Sequence, residues 1–535
     1  MLKKLPLFVL MLLSGLLLTA AWPVNGFSPL LFLAWVPLLV AGNRMLQQPE
    51  KYKNKHFFFY SFITVFVWNL GVTWWVYFAS FGGAAMAIVT NSIIMALILL
   101  LSRIVAKNTT VNLGLAAFVV FWLGFEYYHQ YWDLTWPWLT LGNGFAANHQ
   151  WIQWYEFTGF SGGSLWVLLS NVFLFKIVDS QKSLKELTKP IALFLLFIIV
   201  PITLSYVMYF NYEQKGKPHQ ITIVQPNIDP YNEKFSGMTS DEQLQKLMQI
   251  ASTQLTSNST YLVGPETAIV DNIWENEMNE DYSIVLLDSF VKQYPKMNIV
   301  IGASTMYMYQ DGEKMSPTKR KYGRSGKFYE SYNTALQIDG VQKVQAYHKS
   351  RLVPGVEKMP FPAFFKLFEK FALELGGTSG SLGMQDDREV FLAKDKNTKV
   401  APIICYESVY ADYVSEYVRN GANLLFIITN DGWWDDTPGY KQHLAYAKLR
   451  AIENRRSIAR SANTGVSAFI NQRGDISQPT AWWQEAVITE TILANTETTL
   501  FTKTGDIIGK SAQLASVLGL LALIGFKLLK FFKKQ

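Results

Sequence analysis

Three residues, each just past a short apolar run, have the types that acyl chemistry needs. Cys405, the only cysteine in 535 residues, ends the apolar run of KVAPIICYES; Glu266 follows YLVGP; Lys349 sits in KVQAYHKSRLVP. A thiol attacks an acyl carbonyl once a base takes its proton, and a carboxylate within hydrogen-bond reach can serve as that base. The tetrahedral intermediate then needs positive charge or N–H donors beside its oxygen, a role open to a lysine ammonium. Three residues so distant in sequence converge only if a sheet gathers the strand ends that carry them. Taken alone, Cys405 is as readily a small buried hydrophobe.

The elements around these residues read as a layered α/β domain. HQITIVQPNI, STYLVGPETA, MNIVIGAST, YNTALQID, KVAPIICYES, ANLLFIITNDG and VSAFINQRG are short apolar runs of strand character. Helix-like stretches at 241–255, 281–293 and 442–461 lie between several of them. The segment QDGEKMSPTKRKYGRSGK is polar and basic and reads as an exposed loop, and GGTSGSLG before the cysteine strand reads as another. A single cysteine excludes a disulfide framework, and no metal-ligand spacing or internal repeat is present.

Outside that domain the chain is built for lipid. Half of the residues (50%) are hydrophobic and only 17% are charged, with 17 Trp, 36 Phe and 26 Tyr. A mean hydropathy of +0.11 is nevertheless too low for membrane helices alone. Crossing a bilayer takes roughly 17–25 apolar residues. Segments of or near that length fall at 5–21, 29–41, 57–79, 84–104, 111–125, 162–175, 190–209 and 512–526. The first has no clean small-x-small cleavage site and reads as a retained span.

Lys and Arg set the orientation. They occupy the N-terminus (Lys3, Lys4), the second loop (Arg44, Lys51, Lys53, Lys55), the fourth (Arg103, Lys107), the sixth (Lys176, Lys182, Lys185, Lys189) and the tail (Lys527, Lys530, Lys533, Lys534), and are absent from the first, third and fifth loops. Both termini are therefore expected in the cytoplasm, with the α/β domain on the opposite side. Much of the +7 net charge is thus a topology signal, and no nucleic-acid partner is implied. The fifth loop, rich in Trp and Tyr, reads as an interfacial belt or as a wall guiding a lipid chain.

PETA around Glu266, YHKSRLVPGVE around Lys349 and CYES around Cys405 resemble the three catalytic blocks of the nitrilase (carbon–nitrogen hydrolase) superfamily. The run NDGWWDDTPGYKQHLAYAKLRAIENRRSIARSANTGVSAFINQRG and the earlier VQPNI are similar to it as well. A nitrilase-like domain between seven leading spans and one trailing span resembles a membrane-embedded acyltransferase branch, which the WPWLTLGN and YEFTGFSGGS elements also resemble. The resemblance implies a multi-span α-helical membrane domain of about eight transmembrane helices with an inserted αββα sandwich. The expected boundaries are 1–212 for the first seven helices, 213–508 for the catalytic domain and 509–535 for the last helix and basic tail.

The same resemblance implies the activity. Cys405 takes an acyl chain from a membrane phospholipid as a thioester, then passes it to the α-amine of the N-terminal diacylglyceryl-cysteine of an apolipoprotein. Glu266 is then general base and acid, Lys349 stabilises the oxyanion, and the Tyr406 N–H is a second donor. No cofactor or metal is implied. The expected setting is multi-pass in the bacterial inner membrane, as a monomer, with the catalytic domain periplasmic and its pocket open toward the outer leaflet.

Supporting positions carry alternatives. Glu357 falls where the family places a carboxylate beside the triad, or forms a surface salt bridge. Glu407 orders the strand-to-helix turn, or is simply an acidic residue favoured at a helix start. Asn333 and His443 match family positions that could serve the substrate or local backbone groups. Trp433 and Trp434 read as lipid-facing or core. MPFPAFFKLFEKFALEL at 359–375 places Phe364, Phe365, Phe368 and Phe371 at helical spacing, the pattern of a membrane-facing flap or of a helix packed on its own domain.

This chain departs from the family pattern at Gly264, where an aromatic is usual, at Gly355-Val356, where Phe-Gly is usual, and at Phe235, where Trp is expected. These changes bear on the pocket's walls. Two competing readings stay open on residues alone: a membrane-tethered amidase with the same triad, and a lipid-binding or transport protein with an inert soluble domain. Eight spans are more than a tether needs, and few ionisable residues lie within them.

Overall fold

The computed structural model describes residues 4–180, 182–235, 237–359 and 381–532. The chain divides into two compact units, one of residues 1–77, 81–211 and 504–535, the other of 78–80 and 212–503.

In the first unit, seven helices among the described residues are long and apolar enough to cross a membrane. They are Ser28–Leu46, Asn54–Thr73, Phe81–Asn108, Val111–Tyr128, Tyr155–Asp179, Leu184–Asn211 and Ile507–Leu529. The first expected span is an apolar helix of 15 residues, Leu7–Ala21, shorter than these. The second is interrupted: a 3-10 turn at Ser28–Phe32 precedes the helix Val36–Leu46. Trp35, Trp68 and Trp122 pack together, with Trp35 edge-on to both partners at centroid distances of 5.9 and 4.7 Å.

The aromatic fifth loop is mixed: Tyr128, Tyr131 and Phe157 are exposed, while its middle is core. Trp138, Leu139, Leu141 and Phe145 are buried, and the Glu126 carboxylate accepts from Trp122 Nε1 (2.9 Å) and from the Leu141 N–H (2.8 Å). The interfacial preference of Trp is an average; here tight turns and internal hydrogen bonds give the rings an interior of their own.

The second unit is an αββα sandwich. One sheet holds β1 (Lys217–Gln225), β2 (Tyr261–Val263), β3 (Ile269–Trp274), β4 (Asn298–Met308), β5 (Arg320–Lys321), β6 (Phe328–Ile338) and β7 (Gln345–His348). The other holds β8 (Phe391–Leu392), β9 (Lys399–Ile404), β10 (Leu424–Thr429), β11 (Ile458–Ala462), β12 (Ala468–Ile470) and β13 (Ile476–Ser477). β14 (Ala486–Ala494) returns to the first sheet and pairs antiparallel with β1.

The inner faces meet through contacts such as Tyr261 against Phe426, 5.0 Å between ring centroids. Helices Ser240–Ser252 and Tyr282–Val291 cover the outside of the first sheet, burying Leu244, Leu247, Ile284 and Leu287 against Leu262, Ile299 and Ile301. Ala411–Arg419 and Pro438–Asn454 accompany the second sheet. Every residue of β10 is buried, as expected for a parallel strand covered on both faces.

All seven expected strands form. The helix expected over 442–461 is a correction: it ends at Asn454, Arg455 takes a left-handed turn (φ 49°), and β11 begins at Ile458. No glycine marks that stop, so the sequence pattern runs through it.

Candidate active site

Strand direction gathers the three candidate residues. β2 runs parallel to β1 and β4, and β9 runs parallel to β10, and each of β2, β9 and β10 ends immediately or shortly before a candidate position. β7 is antiparallel to β6, which is antiparallel to β4, so β7 ends toward the same edge as β2 and carries Lys349 just past it. Ile404 lies level with Ile428, which brings the following Cys405 level with Thr429.

Cys405 leaves its strand abruptly, with φ 49°, at the first residue of the 3-10 turn Cys405–Val409. A non-glycine residue held there costs about 1–3 kcal/mol, and such strain clusters where a side chain must be aimed. The turn is tied down from two sides. Glu407 is fully buried and accepts from the N–H groups of Ile404 (2.9 Å) and Ser350 (2.8 Å) and from the Tyr347 hydroxyl (2.9 Å). It thus clamps the cysteine turn to the segment following Lys349. On the other side His443 Nε2 lies 3.1 Å from the Cys405 carbonyl and Nδ1 lies 3.0 Å from Asp431, which Arg460 holds at 2.6 Å.

Glu266 and Lys349 are direct partners, with Nζ 3.0 Å from Oε1. Asn333 Nδ2 donates to the same oxygen at 2.8 Å, and the Asn430 N–H to Oε2 at 3.1 Å. Lys349 also donates to Glu357 (2.8 Å), whose other oxygen accepts from the Val353 N–H (2.8 Å). Burial alone would push the Glu266 carboxyl up, but the Lys349 ammonium and the Asn333 amide outweigh it and hold it below the usual carboxylate range. Burial works against the Lys349 charge too, yet Glu266 and Glu357 together raise it well above an ordinary lysine. Burial pushes the Cys405 thiol up, with the Glu266 charge adding and Lys349 opposing. At neutral pH the site therefore holds a carboxylate, an ammonium and a neutral thiol, the protonation pattern for a base-assisted attack.

The remaining expected positions separate. Glu357 belongs to the Lys349 cluster rather than to the surface. Asn333 donates to the Glu266 carboxylate at 2.8 Å and more weakly to Glu357 at 3.3 Å. His443 is fully buried and supports the cysteine turn. Tyr406 is buried with its ring edge-on to Tyr410.

Phe235 is 60% exposed and stacks on Trp433, while Tyr231 meets the same indole edge-on at 5.2 Å. Trp434 packs edge-on to His443. Phe364 and Phe365, with all of the expected 359–375 flap beyond Met359, lie outside the described residues. Sequence reasoning missed Lys234, Thr429, Asp431 and Arg460. The last three lie in or beside stretches singled out above, but nothing in their spacing announced a buried charge relay. Among the described residues no group of three or more His, Cys, Asp or Glu is placed to hold a metal ion.

Comparison with known proteins covers both units. The family model described as apolipoprotein N-acyltransferase N-terminal domain matches residues 14–173, and that of carbon-nitrogen hydrolase matches 220–499. The chain is 31% identical to the apolipoprotein N-acyltransferase of Chlorobaculum tepidum, over 97% of this chain and 96% of that protein. It is 25% identical to the one from Geobacter metallireducens (94% and 92% covered) and 24% identical to the one from Haemophilus influenzae (90% and 88%).

Proposed function

Since the chain belongs to the apolipoprotein N-acyltransferase family, we propose that it is an acyltransferase working through Cys405, Glu266 and Lys349 in two half-reactions. The observation that carries the reading is the buried Glu266–Lys349 pair, whose two charges both act on the chain's only thiol.

In the first half-reaction Glu266 takes the thiol proton as Cys405 Sγ attacks the ester carbonyl of a membrane phospholipid. The oxyanion forms beside the Lys349 ammonium, with the Tyr406 N–H as second donor. Collapse expels the lysophospholipid alkoxide, which takes the proton back from Glu266 and leaves an acyl thioester. In the second, the α-amine of an N-terminal diacylglyceryl-cysteine attacks the thioester, losing a proton to Glu266. Collapse releases the amide, and the Cys405 sulfur recovers that proton. The alternation gives ping-pong kinetics. Glu357 keeps Lys349 charged and in place, Glu407 holds the cysteine turn, and the exposed Phe235 ring on the half-buried Trp433 offers an apolar surface for acyl chains.

All of these groups come from one chain, so a monomer suffices. The apolar helices and the family place the protein in the bacterial inner membrane. The loop charges favour residues 213–508 on its periplasmic side, with 1–212 and 509–535 forming the membrane part.

Intact-mass measurement after incubation in native lipid tests the reading. A gain of one fatty acyl group on the wild type, lost on adding a diacylated lipopeptide, is expected. Glu266→Gln and Cys405→Ala should show none, and Lys349→Ala should acylate about 10²–10³-fold more slowly. A wild-type protein that hydrolyses amides but never gains the acyl mass would point to the amidase instead.

A further inference from the structure

A second lysine stands behind the base. Lys234 is 2% exposed, and its ammonium donates to the main-chain carbonyl of Glu266 (3.0 Å) and to Thr267 Oγ1 (2.7 Å). Among the described residues it forms no ion pair, so a buried charge rests on two neutral acceptors, an arrangement that costs free energy unless the position needs it. Burial pulls the ammonium down to about 8 while the Glu266 charge holds it up.

The segment before it is itself anchored. Lys234 N–H donates to the Asp229 carbonyl at 2.9 Å, and Gln243 Nε2 donates to the Lys234 carbonyl at 2.7 Å. Both of its acceptors lie on a turn that needs support. Thr267 has φ 46°, and the Gly302 N–H on β4 holds the Pro265 carbonyl at 3.0 Å. The next residue, Phe235, is the exposed ring stacked on Trp433.

We propose that Lys234 is a positioning residue for acyl transfer: its ammonium fixes the Glu266 turn and joins the general base to the segment that carries the Phe235 ring. The role rests on the reading of Glu266 as base. Lys234 touches no reacting atom. It acts by holding the Glu266 main chain, so that the carboxylate stays in register with Cys405, and by adding a second positive charge near that carboxylate. The other groups around the Glu266 carboxylate are Lys349 and Glu357, both charged, the Cys405 thiol, the Asn333 amide and the Asn430 N–H.

The experiment uses the full chain in vesicles containing labelled phosphatidylethanolamine, with single-turnover acylation of Cys405 as readout. Lys234→Met is expected to slow acylation about 10²-fold, the scale of a misplaced base. KM for the phospholipid should stay within about threefold of wild type, and the acid limb of kcat/KM should move upward as the nearby charge is lost. Lys234→Arg should recover part of the rate, and Thr267→Val, which removes one acceptor and leaves the lysine, should give a smaller loss.

A structural role alone would lower the thermal midpoint without moving the acid limb, and that result overturns the proposal, as does a Lys234→Met enzyme with wild-type acylation. Should Lys234→Met fail to fold, Thr267→Val decides by the acylation rate: a loss with KM for the phospholipid unchanged supports the proposal, and a wild-type rate overturns it. Glu266→Gln runs alongside: if it stays active, the assignment of the base fails rather than the role of Lys234.

Discussion

Acting against burial, Lys349 first, then Asn333 and Lys234, hold Glu266 in its charged form. As the proposed base, Glu266 works only as a carboxylate, and its folded pKa is depressed. Activity should therefore persist as pH falls through the ordinary glutamate range and fail only below it. Asn333→Ala removes a hydrogen bond to a charged group, worth about 1.5–3 kcal/mol, so the acid limb of kcat/KM should rise by about one to two pH units. A pH–rate profile of the variant reads this directly; an unmoved limb would mean that the amide does not act on the base. The types and order of the three residues proposed to react could be read from the chain. The role of Asn333 could not, because an amide that serves substrate and one that serves a carboxylate look alike in sequence.

At the level of elements, the seven expected strands were legible because each is an apolar run bounded by polar or turn residues. Of the missed ones, β5, β8 and β13 have two residues each, too few to show a period, while β3, β7, β11 and β14 are longer but have polar residues among their apolar ones. The misjudged end of helix Pro438–Asn454 has a comparable cause: Arg455 makes a left-handed turn where glycine is usual. Close approach also shapes the site. A Cβ on Gly302 would lie 2.5 Å from the Thr267 nitrogen and 2.7 Å from the Glu266 Cα, both main chain. Gly302→Ala should therefore push the base turn off β4, costing about 1–3 kcal/mol in stability and on the order of 10² in acylation rate. Denaturant unfolding and single-turnover acylation measure the two; a variant with normal rate and stability would show that the turn yields freely.

For the whole molecule, the loop charges predict which side each segment faces. With Cys405→Ser as background, a membrane-impermeant maleimide applied to spheroplasts should label Asp311→Cys, in the α/β unit, and should label Lys51→Cys only after the membrane is opened. The reverse pattern would invert the orientation and remove a periplasmic catalytic domain. Apolar length, loop charge and strand runs are local quantities, so the sequence by itself determined the helical membrane part, the inserted α/β sandwich and the three residues able to do acyl chemistry. Only the tertiary structure decided that β2, β7 and β9 end together, that the middle of the aromatic fifth loop is interior, and that His443 supports the Cys405 turn and Lys234 the Glu266 turn. Those outcomes depend on strand direction, register and burial, which arise from contacts between residues far apart along the chain.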